Sequence, residues 1–132
     1  MSLIFIADDD PDVRELVEYK LVHAGHQVLS AANGQDALRL VPAARPGLDL
    51  LLLDVMMPGF SGFDVLTRLR RHEATRLLPI IMLTAKAQDT DVERGFTLGA
   101  DDYVLKPFSP RELMNRIVAQ LVPTGSRGTV HL

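Results

Sequence analysis

The run Leu48-Asp49-Leu50-Leu51-Leu52-Leu53-Asp54 constrains this chain more than any other segment. It lies between a Pro46-Gly47 turn and a loop holding Pro58 and Gly59, which gives it the length of a strand and leaves it too short for an ordinary helix. A nearly unbroken apolar strand must be covered on both faces, the condition of a central strand in a parallel sheet.

Other short apolar runs alternate with longer periodic segments. Leu3-Ile4-Phe5-Ile6-Ala7 predicts a first strand, stopped by Asp8-Asp9-Asp10. Pro11 sits where a first-turn proline is tolerated, and Val13, Leu16, Val17, Lys20, Leu21 and Ala24 follow with a mostly helical period that Gly25 ends. Residues 26–31 predict a weaker strand, and Asn33-Gly34-Gln35-Asp36 a capped helix start with Ala37, Leu38 and Val41 facing inward. Residues 61–72 predict a third helix, and Ile80-Ile81-Met82-Leu83-Thr84 a fourth strand. A helix over 89–98 ends at Gly99, Tyr103-Val104-Leu105 predicts a short strand, and Ser109 caps a last helix reaching residue 122.

Strand–helix alternation of this kind implies right-handed crossovers onto a parallel sheet covered on both faces. Five such units fit an α/β flavodoxin-like (βα)5 doubly wound sheet, whose usual strand order is 2-1-3-4-5. The weaker second and fifth runs suit its edges. One domain over 1–122 is expected, with 123–132 as linker or tail.

Composition narrows the chemistry. The absence of cysteine excludes disulfides, thiolate metal sites and thiol nucleophiles, and is compatible with a cytoplasmic location. A net charge of −3 gives no basic footprint, so no direct nucleic-acid binding is expected of this segment. No apolar stretch is long enough to span a bilayer, and the N-terminus lacks the basic leader of a signal peptide, so no membrane association is expected.

In an open α/β sheet the ligand site lies beyond the carboxyl ends of the strands. There the first strand delivers Asp8 and Asp9, the third Asp54, the fourth Thr84 and the fifth Lys106. Clustered carboxylates repel, by roughly 3 kcal/mol per pair at about 5 Å and an effective dielectric near 20. Either one stays protonated or a cation sits among them. With no cysteine and no histidine at this rim, an oxygen-only site suits Mg²⁺ or the similar Mn²⁺. A carboxylate can also attack phosphorus to give an aspartyl phosphate, a reaction that needs mostly positioning and charge neutralisation. On these grounds alone Asp54, Asp8 and Asp9 are equal candidates for the attacked group.

The runs Ile4-Phe5-Ile6-Ala7-Asp8-Asp9-Asp10-Pro11, Asp54-Val55-Met56-Met57-Pro58-Gly59, Ile81-Met82-Leu83-Thr84-Ala85, Gly99-Ala100-Asp101-Asp102-Tyr103 and Lys106-Pro107-Phe108 together resemble response-regulator receiver domains, the CheY-like superfamily of two-component signalling, in order and over residues 3 to about 122. The resemblance implies a phospho-accepting signalling domain rather than an enzyme. Asp54 would take a phosphoryl group from a sensor histidine kinase, a phosphotransfer protein or a small phosphodonor. Asp9, Asp54 and the Met56 backbone carbonyl would bind Mg²⁺, with Asp8 acting through a metal-bound water. Thr84 and Lys106 would contact the phosphate, Tyr103 would change rotamer, and the Lys106–Pro107 peptide would be cis. Met56 and Lys86 would tune the lifetime of the phosphoryl group. The face formed by the fourth helix, fifth strand and fifth helix would remodel. Asp101, Arg111 and Arg116 on it resemble a subfamily whose receivers dimerise before a winged-helix DNA-binding domain, although Val92 and Thr97 depart from that subfamily's charge pattern.

Two rivals remain on the sequence. Asp8 and Asp10 with Thr84 and Lys106 also resemble a haloacid-dehalogenase-like phosphatase, which would leave Asp54 idle and lacks an acidic pair after Lys106. The other is a receiver-like binding module that is never phosphorylated.

Overall fold

A computed structural model describes residues 2–85 and 89–121, with Asp89 and Thr90 placed by their backbone alone. Its elements alternate strictly: β1 (Leu3–Ala7), α1 (Pro11–His23), β2 (Gln27–Ala31), α2 (Gly34–Ala44), β3 (Leu50–Asp54), α3 (Gly62–Arg71), β4 (Ile80–Thr84), α4 (Asp89–Leu98), β5 (Asp102–Leu105) and α5 (Pro110–Leu121). The strands form one parallel sheet in the order β2-β1-β3-β4-β5. This is the doubly wound flavodoxin-like arrangement read from the alternation of the runs, with the two weaker runs at the edges.

Strand periodicity divides the core into two layers. Phe5, Ala7, Leu51, Leu53, Ile80 and Met82 face α2, α3 and α4, where Ala37, Val41, Phe63, Leu66 and Leu69 meet them. Ile4, Ile6, Leu50, Leu52, Ile81 and Leu83 face the other way, against Val17 and Leu21 of α1 and Leu113 and Ile117 of α5. Leu50 to Leu53 are wholly buried. Each such leucine contributes on the order of 2 kcal/mol of transfer free energy, which is why an all-leucine run sits at the centre of the sheet. The strand begins two residues later than the apolar run predicts. Asp49 leaves the run because its side chain accepts from the Leu3 N–H at 2.9 Å, where it braces the start of β1.

The helix ends follow local chemistry. Asp10 caps α1 with Pro11 in its first turn, and Gly25 turns the chain after it at φ +92°. Asn33 caps α2 by accepting from Asp36 N–H at 2.8 Å. Ser61 and Asp64 form a reciprocal capping box on α3. Ser109 accepts from Glu112 N–H at the start of α5. Pro42 lies inside α2, near its C-terminal end. Residue 122, the tail 123–132 and Lys86 lie outside the described residues.

Candidate functional site

Parallel strands in register carry their ends to one rim. Ala7 stands opposite Leu53, so the residues that follow, Asp8 and Asp54, are neighbours across the β1–β3 pair. On the other side of β3, Asp54 stands opposite Leu83, which precedes Thr84 at the end of β4. Thr84 pairs with Leu105, and Lys106 N–H returns to the Thr84 carbonyl at 2.7 Å. Asp8, Asp54 and Thr84 are buried, whereas Asp9 is exposed on the β1–α1 loop.

The side chains converge as the strand ends require. Each of Asp8, Asp9 and Asp54 offers a carboxylate oxygen within 4.8 Å of the other two. Lys106 reaches over them, its Nζ 2.7 Å from Asp8 Oδ2 and 3.5 Å from Asp54 Oδ1. Asp8 Oδ1 accepts from Asp10 N–H at 2.9 Å, and Asp54 Oδ1 from Met56 N–H at 3.3 Å. Among the described residues the three carboxylates are met by one ammonium, paired with Asp8 and Asp54. Burial, followed by the charge of Asp8, pushes the Asp54 carboxyl from its ordinary 3.8 up to about 7, against the opposing pull of Lys106 and the Met56 N–H. Burial pulls Lys106 down, but its hydrogen bond to Asp8 and the charges of Asp54 and Asp8 outweigh that and raise it above its ordinary value. An oxygen-only cluster with this surplus of negative charge has the donor set that a hard divalent cation prefers.

Glycines allow the backbone to close around the cluster. A Cβ at Gly62 would run into the Asp54 carbonyl oxygen and lie 2.8 Å from Val55 Cα, so α3 can begin directly over the third strand end only with glycine there. The loop between β3 and α3 turns at Gly59, φ +77°. Met56, which follows Asp54 by two residues, projects outward and is 52% exposed.

Tyr103 is buried beneath α4, with its ring seated on Gly95 and 6.2 Å from that of Phe96. A Cβ at position 95 would stand 2.8 Å from Tyr103 Cε2. Its phenol oxygen lacks a hydrogen bond of good geometry among the described residues, and burial, with Asp91 adding to it, raises its pKa against the influence of the Thr84 hydroxyl. The Lys106–Pro107 peptide is cis, as is Arg45–Pro46.

The residues expected on a dimer face are engaged within the chain to different degrees. Asp101 accepts from Arg70 Nη2 at 2.9 Å and from Ile80 N–H at 2.8 Å. Arg116 pairs with Asp102 at 2.8 Å and Glu112 at 3.8 Å, and Arg111 lines an open groove of about 440 Å³ beside them. Asp10, which the phosphatase reading needs as a catalytic acid, accepts the Asp12 N–H instead and serves as a helix cap. Sequence reasoning missed Arg14, whose Nη1 donates to the Asp8 carbonyl at 2.7 Å, and Arg70, whose partners lie as far as 31 residues away. Neither sits in an apolar run, and the partners of both are set by tertiary approach or by backbone carbonyls.

A doubly wound sheet with an acidic rim and a lysine across it defines a class of phosphate-handling signalling modules. Comparison with known proteins makes the assignment specific. The family profile of the response regulator receiver domain matches residues 4–118. The chain is 47% identical over 122 residues to the phosphate regulon transcriptional regulatory protein PhoB of Pseudomonas aeruginosa, covering 92% of this chain and 52% of that protein. It is 50% identical over 120 residues to the transcriptional regulatory protein AfsQ1 of Streptomyces coelicolor, covering 91% and 51%. Among solved structures, the chemotaxis protein CheY4 of Vibrio cholerae superimposes with a TM-score of 0.85 at 31% identity, covering 92% of this chain and 99% of that one. The chain belongs to the response-regulator receiver domain family and is a module of two-component phosphorelay signalling. It spans about half the length of the curated relatives it matches. No helix among the described residues is long and apolar enough to cross a membrane.

Proposed function

We propose that Asp54 is the phospho-acceptor and that Asp8, Asp9 and Lys106 form the apparatus that phosphorylates it. The observation carrying this reading is the charge imbalance at Asp54: a buried carboxyl raised to about 7, beside two further carboxylates and one lysine. Asp9, Asp54 and the Met56 backbone carbonyl hold Mg²⁺, or Mn²⁺ in its place. Both Asp8 oxygens already accept hydrogen bonds, from Lys106 and Asp10 N–H, which suits a role through a metal-bound water. When bound, the cation supplies positive charge to the transferring phosphoryl oxygens and favours the ionised form of Asp54.

An Asp54 carboxylate oxygen forms a bond to phosphorus as the bond from phosphorus to the donor breaks, and the donor leaves with that electron pair. The donor is a phosphohistidine on a sensor kinase or phosphotransfer protein, or a small acyl phosphate. Lys106 then shifts its charge toward the new phosphoryl group, and Thr84 donates its hydroxyl to it. Tyr103 responds to the movement of Thr84, and the face of α4, β5 and α5 carries the change to a partner, including a second copy through Arg111, Arg116 and Asp101. The domain assists its own phosphorylation and dephosphorylation and works in the cytoplasm, where kinases of this system present their phosphohistidine. Transcriptional regulation, for which PhoB and AfsQ1 are named, belongs to an output module, in keeping with the net charge of −3 on this segment.

The test is intact mass after treatment with acetyl phosphate and Mg²⁺. The wild type gains one phosphoryl group, Asp8→Asn gains it slowly, and Asp54→Asn gains none. Labelling of Asp54→Asn at the wild-type rate contradicts the assignment. Exposed Met56 hinders the water that hydrolyses the acyl phosphate, together with Lys86. Met56→Asn therefore shortens the phosphoryl lifetime, and an unchanged decay rate removes Met56 from that role.

A further inference from the structure

Arg14 is oddly placed. It sits at the start of α1, where a cation opposes the helix dipole, and reaches back to the loop that carries Asp8 and Asp9. Among the described residues it makes no ion pair with Asp8, Asp9 or Asp54, and its one side-chain hydrogen bond runs from Nη1 to the backbone carbonyl of Asp8, at 2.7 Å. A guanidinium held by a backbone carbonyl rather than by a carboxylate acts on the course of the backbone.

The geometry of residues 8–14 shows how. Asp8 is fixed by its carboxylate, through Lys106 Nζ and Asp10 N–H. Asp10 is fixed as the cap of α1, accepting from Asp12 N–H and, through its carbonyl, from Arg14 N–H. Asp9 lies between them, exposed, with its side chain in the acidic cluster. The Arg14 bridge closes a loop from α1 back to the carbonyl that directly precedes Asp9, and so fixes the peptide plane from which Asp9 departs.

We infer that Arg14 is a positioning residue for the metal site: by clamping the Asp8 carbonyl it orients Asp9 toward Asp54 and so sets the affinity for a divalent cation. This rests on the reading of the acidic cluster as a Mg²⁺ site. Removing a group that orients a metal-ligating side chain typically weakens metal affinity by about tenfold or more. Removing a nearby positive charge has the opposite effect and tightens it. The sign therefore separates positioning from electrostatics.

The experiment is calorimetric Mg²⁺ titration of the unphosphorylated chain, with thermal unfolding of each variant in parallel. Arg14→Met keeps the aliphatic stem but no donor, and is expected to bind Mg²⁺ about tenfold more weakly while the melting temperature of the metal-free chain barely moves. Arg14→Lys retains a donor and is expected to recover most of the affinity. Met-variant affinity equal to or tighter than wild type overturns the inference, as does a lysine variant as weak as the methionine one. Asp9→Asn serves as the control. If it binds as the wild type does, or if the wild type binds no Mg²⁺, the metal-site reading fails and takes the Arg14 role with it. Loss in Asp9→Asn with no change in Arg14→Met overturns the Arg14 role alone.

Discussion

Two charged networks sit at opposite ends of β4, and they are built on opposite rules. Near Ile80, Arg70 engages all three of its nitrogens: Nε on Gly99 O, Nη1 on the carbonyls of Thr75, Arg76 and Leu78, and Nη2 on Asp101, which also accepts from Ile80 N–H. Beyond Thr84, the three clustered carboxylates have one lysine among the described residues, paired with Asp8 and Asp54, and Asp54 is left raised to about 7. A satisfied network fastens elements together, here the end of α3 to the start of β4 and the turn before β5. An unbalanced one stores a charge deficit that a ligand can fill, and functional sites concentrate such perturbed groups.

The contrast breaks first on pH. A carboxyl with a folded-state pKa above its unfolded value holds extra protons when folded, so stability falls as pH rises from about 4 to about 7 and is level above that. In metal-free buffer at pH 8, Asp54→Asn should be the more stable protein, by on the order of 2–4 kcal/mol at about 1.4 kcal/mol per pKa unit. Chemical denaturation across pH measures this, and Mg²⁺ should close the gap. A wild type whose stability is flat from pH 4 to 8 would put the rim in the same category as the Arg70 network.

Arg70→Ala probes the other end. It removes a half-buried guanidinium and strands several carbonyls, so a loss of about 3 kcal/mol in urea unfolding is expected. Mg²⁺ affinity should remain within twofold of wild type, roughly, because the site lies past the far end of the strand. Lys106→Met sharpens the comparison from the rim: the metal-free protein loses stability, while Mg²⁺ binds several-fold more tightly for want of a competing cation, an effect of about 1 kcal/mol. The smallest change is Gly95→Ala. It crowds the Tyr103 ring off its seat, with an expected loss of about 1 kcal/mol and a phenol that titrates closer to its ordinary range by ultraviolet absorbance.

The rim was legible in the sequence because it depends on topology alone. With the apolar runs as parallel strands, Asp8, Asp54, Thr84 and Lys106 have to meet, and the weak runs at Gln27–Ala31 and Asp102–Leu105 suit the edges. The choice of Asp54 among the acids came from family resemblance, since three carboxylates at strand ends look alike in a sequence. What was not legible depends on tertiary distance. Asp101 reads in the sequence as part of a possible dimer face with Arg111 and Arg116, and only the approach of Arg70 across the α3–β4 connection shows that it also ties α3 to the start of β4. Arg14 carries no sequence signature, because its partner is a backbone carbonyl. Gly95 inside a helix carries no signal of its own, and its role comes from the Tyr103 ring that lies on it.

The most direct test of the central claim is the carbon-13 NMR titration of the Asp54 carboxyl, without and with saturating Mg²⁺. The account predicts a midpoint near 7 in the metal-free chain and a fall of two units or more, roughly, once the cation is bound. A midpoint near the ordinary 3.8 in both titrations would show that the rim holds no charge deficit, and would contradict it.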